Sequence, residues 1–249
     1  MATERVQSVD RAFNLLEHLA DGGGSLTLSD LATRSELPMP TIHRLMRSLV
    51  NQGYVRQEPS RRYALGPRMI RLGDVASKML GSWAEPRLGR LVDEFGETTN
   101  MAMLDGDSAV YVAQVPSTKS MRMFTEVGHA VMLHCTGVGK AILSMLSDEE
   151  VVAIVARTGM PARTEHTLTT SDTLLASMVE IRARGYAVDD EEQEHGVRCV
   201  SAPITGLPFR AAVSISGPVS RVTADQTETM AQALQATAKQ LRDGFVAGV

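Results

Sequence analysis

The chain has 249 residues, 43% of them hydrophobic and 22% charged, which suits one large domain or two smaller ones with ordinary cores. Its two cysteines, Cys135 and Cys199, form no CxxC pair, which speaks against zinc knuckles and disulfide frameworks; no apolar run reaches membrane-spanning length. The net charge of −4 is unevenly placed: Arg34 to Arg71 carries eight arginines against two acids, so this segment stands at +6 and the rest at −10, the pattern of a basic binding module joined to an acidic domain.

The first residues, MATERVQSVDRAF, lack a continuous apolar segment and do not read as a secretory signal, so a reducing cytoplasm is expected. Ser8 is placed to cap a first helix with Ala12, Phe13, Leu16, Leu19 and Ala20 on one face, ended by Asp21-Gly-Gly-Gly24. A short helix over Ser29 to Ser35 follows, with Ser29 as its cap, and then the turn Glu36-Leu37-Pro38. A third helix starts near Pro40, where a missing N–H costs nothing. There Ile42, Leu45, Met46 and Leu49 recur at core spacing, which turns Thr41, His43, Arg44 and Arg47 outward, and Gly53 ends the helix. Two short strands around Glu58-Pro59-Ser60-Arg61 make a basic hairpin carrying Arg61 and Arg62. Helix, short helix, turn, outward-facing helix and basic hairpin together predict a winged helix-turn-helix over residues 1–67. Pro40, Thr41, His43, Arg44 and Arg47 are its candidate groove contacts, with Arg61 and Arg62 on the wing.

Residues 68–84 read as a linker helix with one apolar stripe, Met69, Leu72, Gly73, Ala76, Met79, Leu80 and Trp83; a second copy of the chain is the expected partner for it. The second domain, 85–249, begins with a helix ending at Gly96. TTNMAMLD, SAVYVAQV and MRMFTEVG then read as neighbouring antiparallel strands. HCTGVGKAILSML is a loop feeding a helix, and Ser147-Asp-Glu-Glu150 is a capping box. DTLLASMVEIRARG is a helix; YAVDD, VRCVSAPI and AAVSISG are strands; a last helix spans roughly Ala224 to Phe245. The mixture predicts an α+β domain.

The densest chemistry lies in Asp189 to Cys199, DDEEQEHGVRC. Acids at a strand end alternate in direction, so Asp189 faces inward and Asp190 outward, while Glu191, Glu192 and Glu194 are assigned to a solvated face. One histidine is too few for a metal cluster, and a base–nucleophile pair is not apparent.

Several stretches, SVDRAFNLLEHLA, LPMPTIHRLMRSLVNQGYV, MLHCTGVGKAIL, RGYAVDDEEQEHGVRCVSAPI and AAVSISGPVSRVT among them, resemble the IclR family of bacterial transcriptional regulators from about Arg5 to Gly244. The resemblance implies a winged helix-turn-helix, a linker helix and a GAF-like effector-binding domain. It also implies a homodimer or tetramer on a palindromic double-stranded DNA operator, a small carboxylic acid effector, and neither catalysis nor a cofactor. Carried over motif by motif, Gly137 and Val138 fall where backbone N–H groups hold a ligand carboxylate, as a glycine-rich helix start can. Asp189, Cys199, Ser214 and Ser216 fall at ligand-contacting positions, and Met123, Val131 and Val197 at an apolar wall. Cys135 is read as plain core. A slightly shorter turn at Gly206-Leu207-Pro208-Phe209 leaves the register of the two serines open. A compact 2-oxo acid such as glyoxylate or pyruvate fits this cage. The competing expectations are a sensor of an aromatic acid and an oxo-acid enzyme that uses a metal or Cys199.

Overall fold

The computed structural model describes residues 6–123 and 125–247, and the chain divides into two compact units between Ala76 and Ser77. In the first, α1 (Gln7–Asp21), α2 (Leu28–Ser35) and α3 (Met39–Asn51) close over a core in which Leu15, Leu19, Leu31, Ile42 and Met46 are fully buried. Three short strands, β1 (Ser25–Leu26), β2 (Val55–Gln57) and β3 (Tyr63–Leu65), form an antiparallel sheet in the order β1-β3-β2. Strand β1 was not anticipated, because two residues carry no readable alternation. The helix starts also differ from expectation. Val6, not Ser8, is the N-cap of α1, and Ser8 lies within its first turn. Thr27, not Ser29, caps α2: its hydroxyl accepts from the Asp30 N–H at 3.1 Å while the Asp30 carboxylate accepts from the Thr27 N–H at 3.0 Å. The buried seam of α1 is Leu15, Leu16 and Leu19, and Phe13 and Ala20 are exposed. At the end of α3 the Gly53 and Tyr54 N–H groups donate to the Val50 and Leu49 carbonyls, with Gly53 at φ 77°. This is the paired closure that a left-handed glycine permits.

The division between units falls within α4 (Arg68–Leu80), a helix with no buried residue. Trp83 does not continue its apolar stripe. The helix stops at Leu80, and Gly81 passes so close to β5 (Ser108–Val115) that a Cβ would meet the Val112 carbonyl oxygen at 1.9 Å. Trp83 then lies in a single 3₁₀ turn and packs on Phe245, ring centroids 5.7 Å apart, in the core of the second unit.

The second unit is built on a six-stranded antiparallel sheet in the order β6-β5-β4-β9-β8-β7, made of β4 (Thr98–Asp105), β5, β6 (Ala130–Val131), β7 (Ala187–Asp190), β8 (Val197–Ile204) and β9 (Ala211–Pro218). The helices α5 (Glu85–Phe95) and α9 (Thr227–Val246) cover one face over Met101, Val200, Val213 and Ile215. The helices α6 (Gly137–Leu143), α7 (Asp148–Thr158) and α8 (Ser171–Arg184) cover the other over Ala102, Tyr111, Ala187 and Ala212. A bulge at Met101/Ala102 leaves Val112 unpaired, so Ala102 pairs with Tyr111 while Asn100 pairs with Gln114. That single extra residue turns Tyr111 and Gln114 to the same face.

The expected strand MRMFTEVG does not form. Phe124 lies outside the described residues, and the rest of Met121–Gly128 is irregular; the edge of the sheet is completed by Ala130–Val131 instead. This loop is tied down at separate points: Arg221 donates to the Met121 carbonyl at 2.8 Å, the Gln114 amide to the Thr125 carbonyl at 2.8 Å, and the Gly128 N–H to the Tyr111 carbonyl at 2.7 Å.

Candidate functional site

The candidate recognition surface lies on α3. Burial of Ile42 and Met46 leaves Pro40, His43, Arg44 and Arg47 exposed and Thr41 half-buried. In the wing, Arg61 is exposed at the hairpin tip with φ 64°. Arg62 is placed otherwise: its guanidinium donates to the Ser25 carbonyl at 2.5 Å and to the Ser25 hydroxyl at 3.2 Å, tying the wing to β1. Arg56 is a further exposed wing cation, paired with Glu58 at 3.3 Å, that the motif reading passed over.

The second cluster lies under α6. Asp189, Cys199, Ser216 and Thr98 are paired residue to residue across β7, β8, β9 and β4, so their side chains share one sheet face. One step along the strands, Ser201, Ser214, Asn100 and Gln114 form a parallel row on that face. The short turn after Ile204 therefore leaves Ser214 and Ser216 facing the same way. Asp189, Cys199, Ser214 and Ser216 are all buried, Ser214 at 1% exposure. Helix α6 presses onto β8: a Cβ on Gly137 would lie 2.7 Å from both Cys199 Sγ and Ser201 Oγ, so only glycine allows this approach. Thr136 caps the helix, its hydroxyl accepting from the Gly139 N–H at 3.1 Å, and Gly137 and Val138 form the first turn.

Around these residues the hydrogen bonding is uneven. One Asp189 oxygen accepts from the Glu192 and Gln193 N–H groups at 2.8 and 3.3 Å. Burial pushes the Asp189 carboxyl up to about 7, against the pull of Lys140 and these two amides. The Ser216 hydroxyl donates to Cys199 Sγ at 3.1 Å. Burial, and then the nearby Asp189 charge, raise the Cys199 thiol above its ordinary range, and burial pushes Cys135 up to about 12, so neither is an activated nucleophile. The Asn100 amide nitrogen is buried with no hydrogen-bond partner, and the buried Ser214 hydroxyl has no oxygen or nitrogen partner, with the Cys199 sulfur its neighbour.

Of the apolar wall, Val197 shares the face of Cys199, two residues before it in β8, and the Met123 carbonyl accepts from the Thr98 hydroxyl at 3.4 Å. Val131 lies on β6, across β5 and β4 from Ser214, and packs against the cluster under α6 to α8. Glu192 corrects the sequence reading. It is buried rather than solvated and is ion-paired with buried Lys140, whose ammonium also donates to the Val188 carbonyl at 2.6 Å. A lysine inside the otherwise small and apolar GVGKAIL was the available signal, since a buried cation requires a counter-charge. Among the described residues, no three of His, Cys, Asp and Glu converge as metal ligands, and no helix is long and apolar enough to cross a membrane.

Both units of the chain have counterparts in known proteins. Residues 8–59 match the IclR helix-turn-helix domain, and residues 74–243 match the C-terminal domain of bacterial transcriptional regulator IclR. The chain is 40% identical over 244 residues to the transcriptional repressor IclR of Escherichia coli (strain K12), covering 94% of this chain and 89% of that protein. It is 32% identical over 247 residues to the HTH-type transcriptional repressor AllR of the same strain, covering 97% and 91%. A crystal structure of an IclR transcriptional regulator from Silicibacter sp. TM1040 superposes with a TM-score of 0.83 at 30% identity over 95% of each chain. The chain belongs to the IclR family of bacterial transcriptional regulators, a family of DNA-binding proteins rather than enzymes.

Proposed function

We propose that this protein is a repressor that grips a palindromic operator as a homodimer through α3 and the wing, and that a small 2-oxo acid such as glyoxylate or pyruvate, bound in the cage under α6, sets its affinity for DNA. The observation that carries the effector half is the row of Asp189, Cys199 and Ser216 beside a buried Ser214 hydroxyl that has no oxygen or nitrogen partner. A buried polar group is ordinarily satisfied, and leaving one open costs free energy that a ligand recovers on binding. Ser214 and Ser216 suit a carboxylate, with the leading N–H groups of Gly137 and Val138 beside them. Asp189, holding backbone donors on one oxygen, suits the hydroxyl of a hydrated 2-oxo group on the other. Val197 and Met123 supply the apolar side on which the methyl of pyruvate would rest.

The dimer is supported by α4, on which Ile70, Leu72, Val75, Met79 and Leu80 are all exposed, with Ile70 at 74%. Helix 68–84 is on this reading the dimerisation element between residues 1–67 and 85–249. Effector binding alters DNA affinity only so far as it favours one arrangement of the recognition helices over another.

The test is a thermal-shift panel of glyoxylate, pyruvate, oxalate, glycolate and protocatechuate on wild type and Ser214→Ala. Glyoxylate or pyruvate should raise the wild-type midpoint by mass action and leave that of the variant unmoved. A shift by protocatechuate alone would transfer the assignment to an aromatic acid.

A further inference from the structure

The amide of Asn100 is fully buried on β4, directly opposite Ser214 of β9 and on the same sheet face. Its orientation is determined by its neighbours. Gln114 Nε2 donates to the Thr125 carbonyl at 2.8 Å, and since a carbonyl only accepts, this end of Gln114 must be its nitrogen. Of its two N–H groups one is taken by that carbonyl, and the other donates to the near atom of the Asn100 amide at 3.2 Å. The Thr125 hydroxyl donates to that same Asn100 atom at 2.8 Å. Two donors therefore converge on Asn100, and the atom that accepts them is Oδ1. A flipped amide would set N–H against N–H.

The consequence is that Nδ2, with two N–H donors, points the other way and meets no acceptor of the chain. Asn100 is the cross-strand partner of Ser214, whose hydroxyl has no oxygen or nitrogen partner. Paired residues on adjacent strands stand about 5 Å apart at their Cβ atoms. An unsatisfied amide that only donates, next to a hydroxyl able to donate, fits a group that only accepts.

We propose that Asn100 is a ligand-contacting residue of this cage, its amide donating to a carboxylate oxygen of the small acid that the Ser214 hydroxyl also engages, and that Gln114 and Thr125 are the positioning residues that keep the amide nitrogen turned toward the ligand. The inference rests on the acid-sensing reading given above. It adds a donor that no family motif assigned, and it makes the loop carrying Thr125 part of the effector site. The ligand class it selects is a compact monocarboxylate whose acid end reaches β4. An amide or ester of the same acid replaces one oxygen with a group that the Asn100 donors cannot use equally well.

The experiment is calorimetric titration of glyoxylate and pyruvate into wild type, Ser214→Ala and Asn100→Asp. Asn100→Asp keeps an oxygen for Gln114 and Thr125 but sets a second oxygen, not two donors, against the ligand carboxylate. Affinity should fall about tenfold or more, as expected for exchanging a charge-assisted hydrogen bond for repulsion. Because a buried carboxyl at this position threatens folding, the unaltered protein supplies an independent readout. The Asn100 side-chain amide pair in a ¹H–¹⁵N correlation spectrum should move when glyoxylate or pyruvate is added. If Ser214→Ala loses binding while Asn100→Asp keeps wild-type affinity, or the Asn100 amide pair stays fixed at saturation, the proposal falls and the acid-sensor reading stands. If no acid binds wild type, both fall.

Discussion

Asp189 is the residue whose charge the fold perturbs most directly within the cage. It ionises at 3.8 in its ordinary state and at about 7 here, because burial disfavours the carboxylate more than Lys140 and two backbone amides favour it. The folded chain thus holds this proton more tightly than the unfolded chain. The stabilising difference is complete below the lower value and is lost as pH rises toward the upper one. Carboxylates held below their usual range by partners, such as Asp107 beside Arg157, act in the opposite sense and only under acid conditions. The Asp189 contribution to the thermal midpoint should therefore decline between about pH 4 and pH 7, and Asp189→Asn should remove that decline. A slope unchanged in the variant would remove Asp189 as its source. At this scale much of the cage was legible: Asp189 in and Asp190 out follows from strand alternation, and Asp190 does pair outward with Arg198 at 2.6 Å. Glu192 and Asn100 were not legible. Glu192 turns inward after Glu191, which takes φ 60°, and that break in alternation has no signature among four consecutive acids. Asn100 reads as a polar residue in a strand until its register with Ser214 and Gln114 is known.

Helix α6 and the turn after β7 are joined by the buried Lys140–Glu192 pair. Removing one partner of such a pair leaves a charge in a medium that cannot solvate it, whereas replacing both with apolar groups is often neutral. Lys140→Met should cost about 3–5 kcal/mol in a urea titration, and Lys140→Met/Glu192→Leu should recover most of it. A single variant as stable as wild type would mean that the pair is not closed in solution. Elements that satisfy their own rules locally were readable from sequence: Thr98–Asp105 and Ser108–Val115 alternate on either side of an Asp-Gly turn, and Ser147 with Glu150 makes its capping box. Elements set by tertiary partners were not. Trp83 leaves the linker stripe because Gly81 lets the chain turn onto β5, and Met121–Gly128 has strand-like composition but is tied by Arg221 and Gln114, which donate to the Met121 and Thr125 carbonyls. Helix α1 buries Leu15 in place of Phe13 because α2 and α3 meet it along that seam.

The whole molecule comprises two units, each with its own core: a basic one carrying Arg44 and Arg47 exposed on α3, and one carrying the polar cage. The charge asymmetry and the order of elements announced this division, while the link between them is a property of states rather than of residues. It is tested most directly by fluorescence anisotropy on a duplex selected by the protein from a random pool, with and without whichever 2-oxo acid stabilises the cage. Wild type should bind with a steep salt dependence, and Arg44→Ala and Arg47→Ala should each bind more weakly, with a salt slope smaller by about one. Adding the acid should shift the wild-type midpoint and leave Ser214→Ala, whose cage lacks the hydroxyl, unmoved. A DNA midpoint that ignores a bound acid in wild type, or that responds equally in Ser214→Ala, would contradict the account.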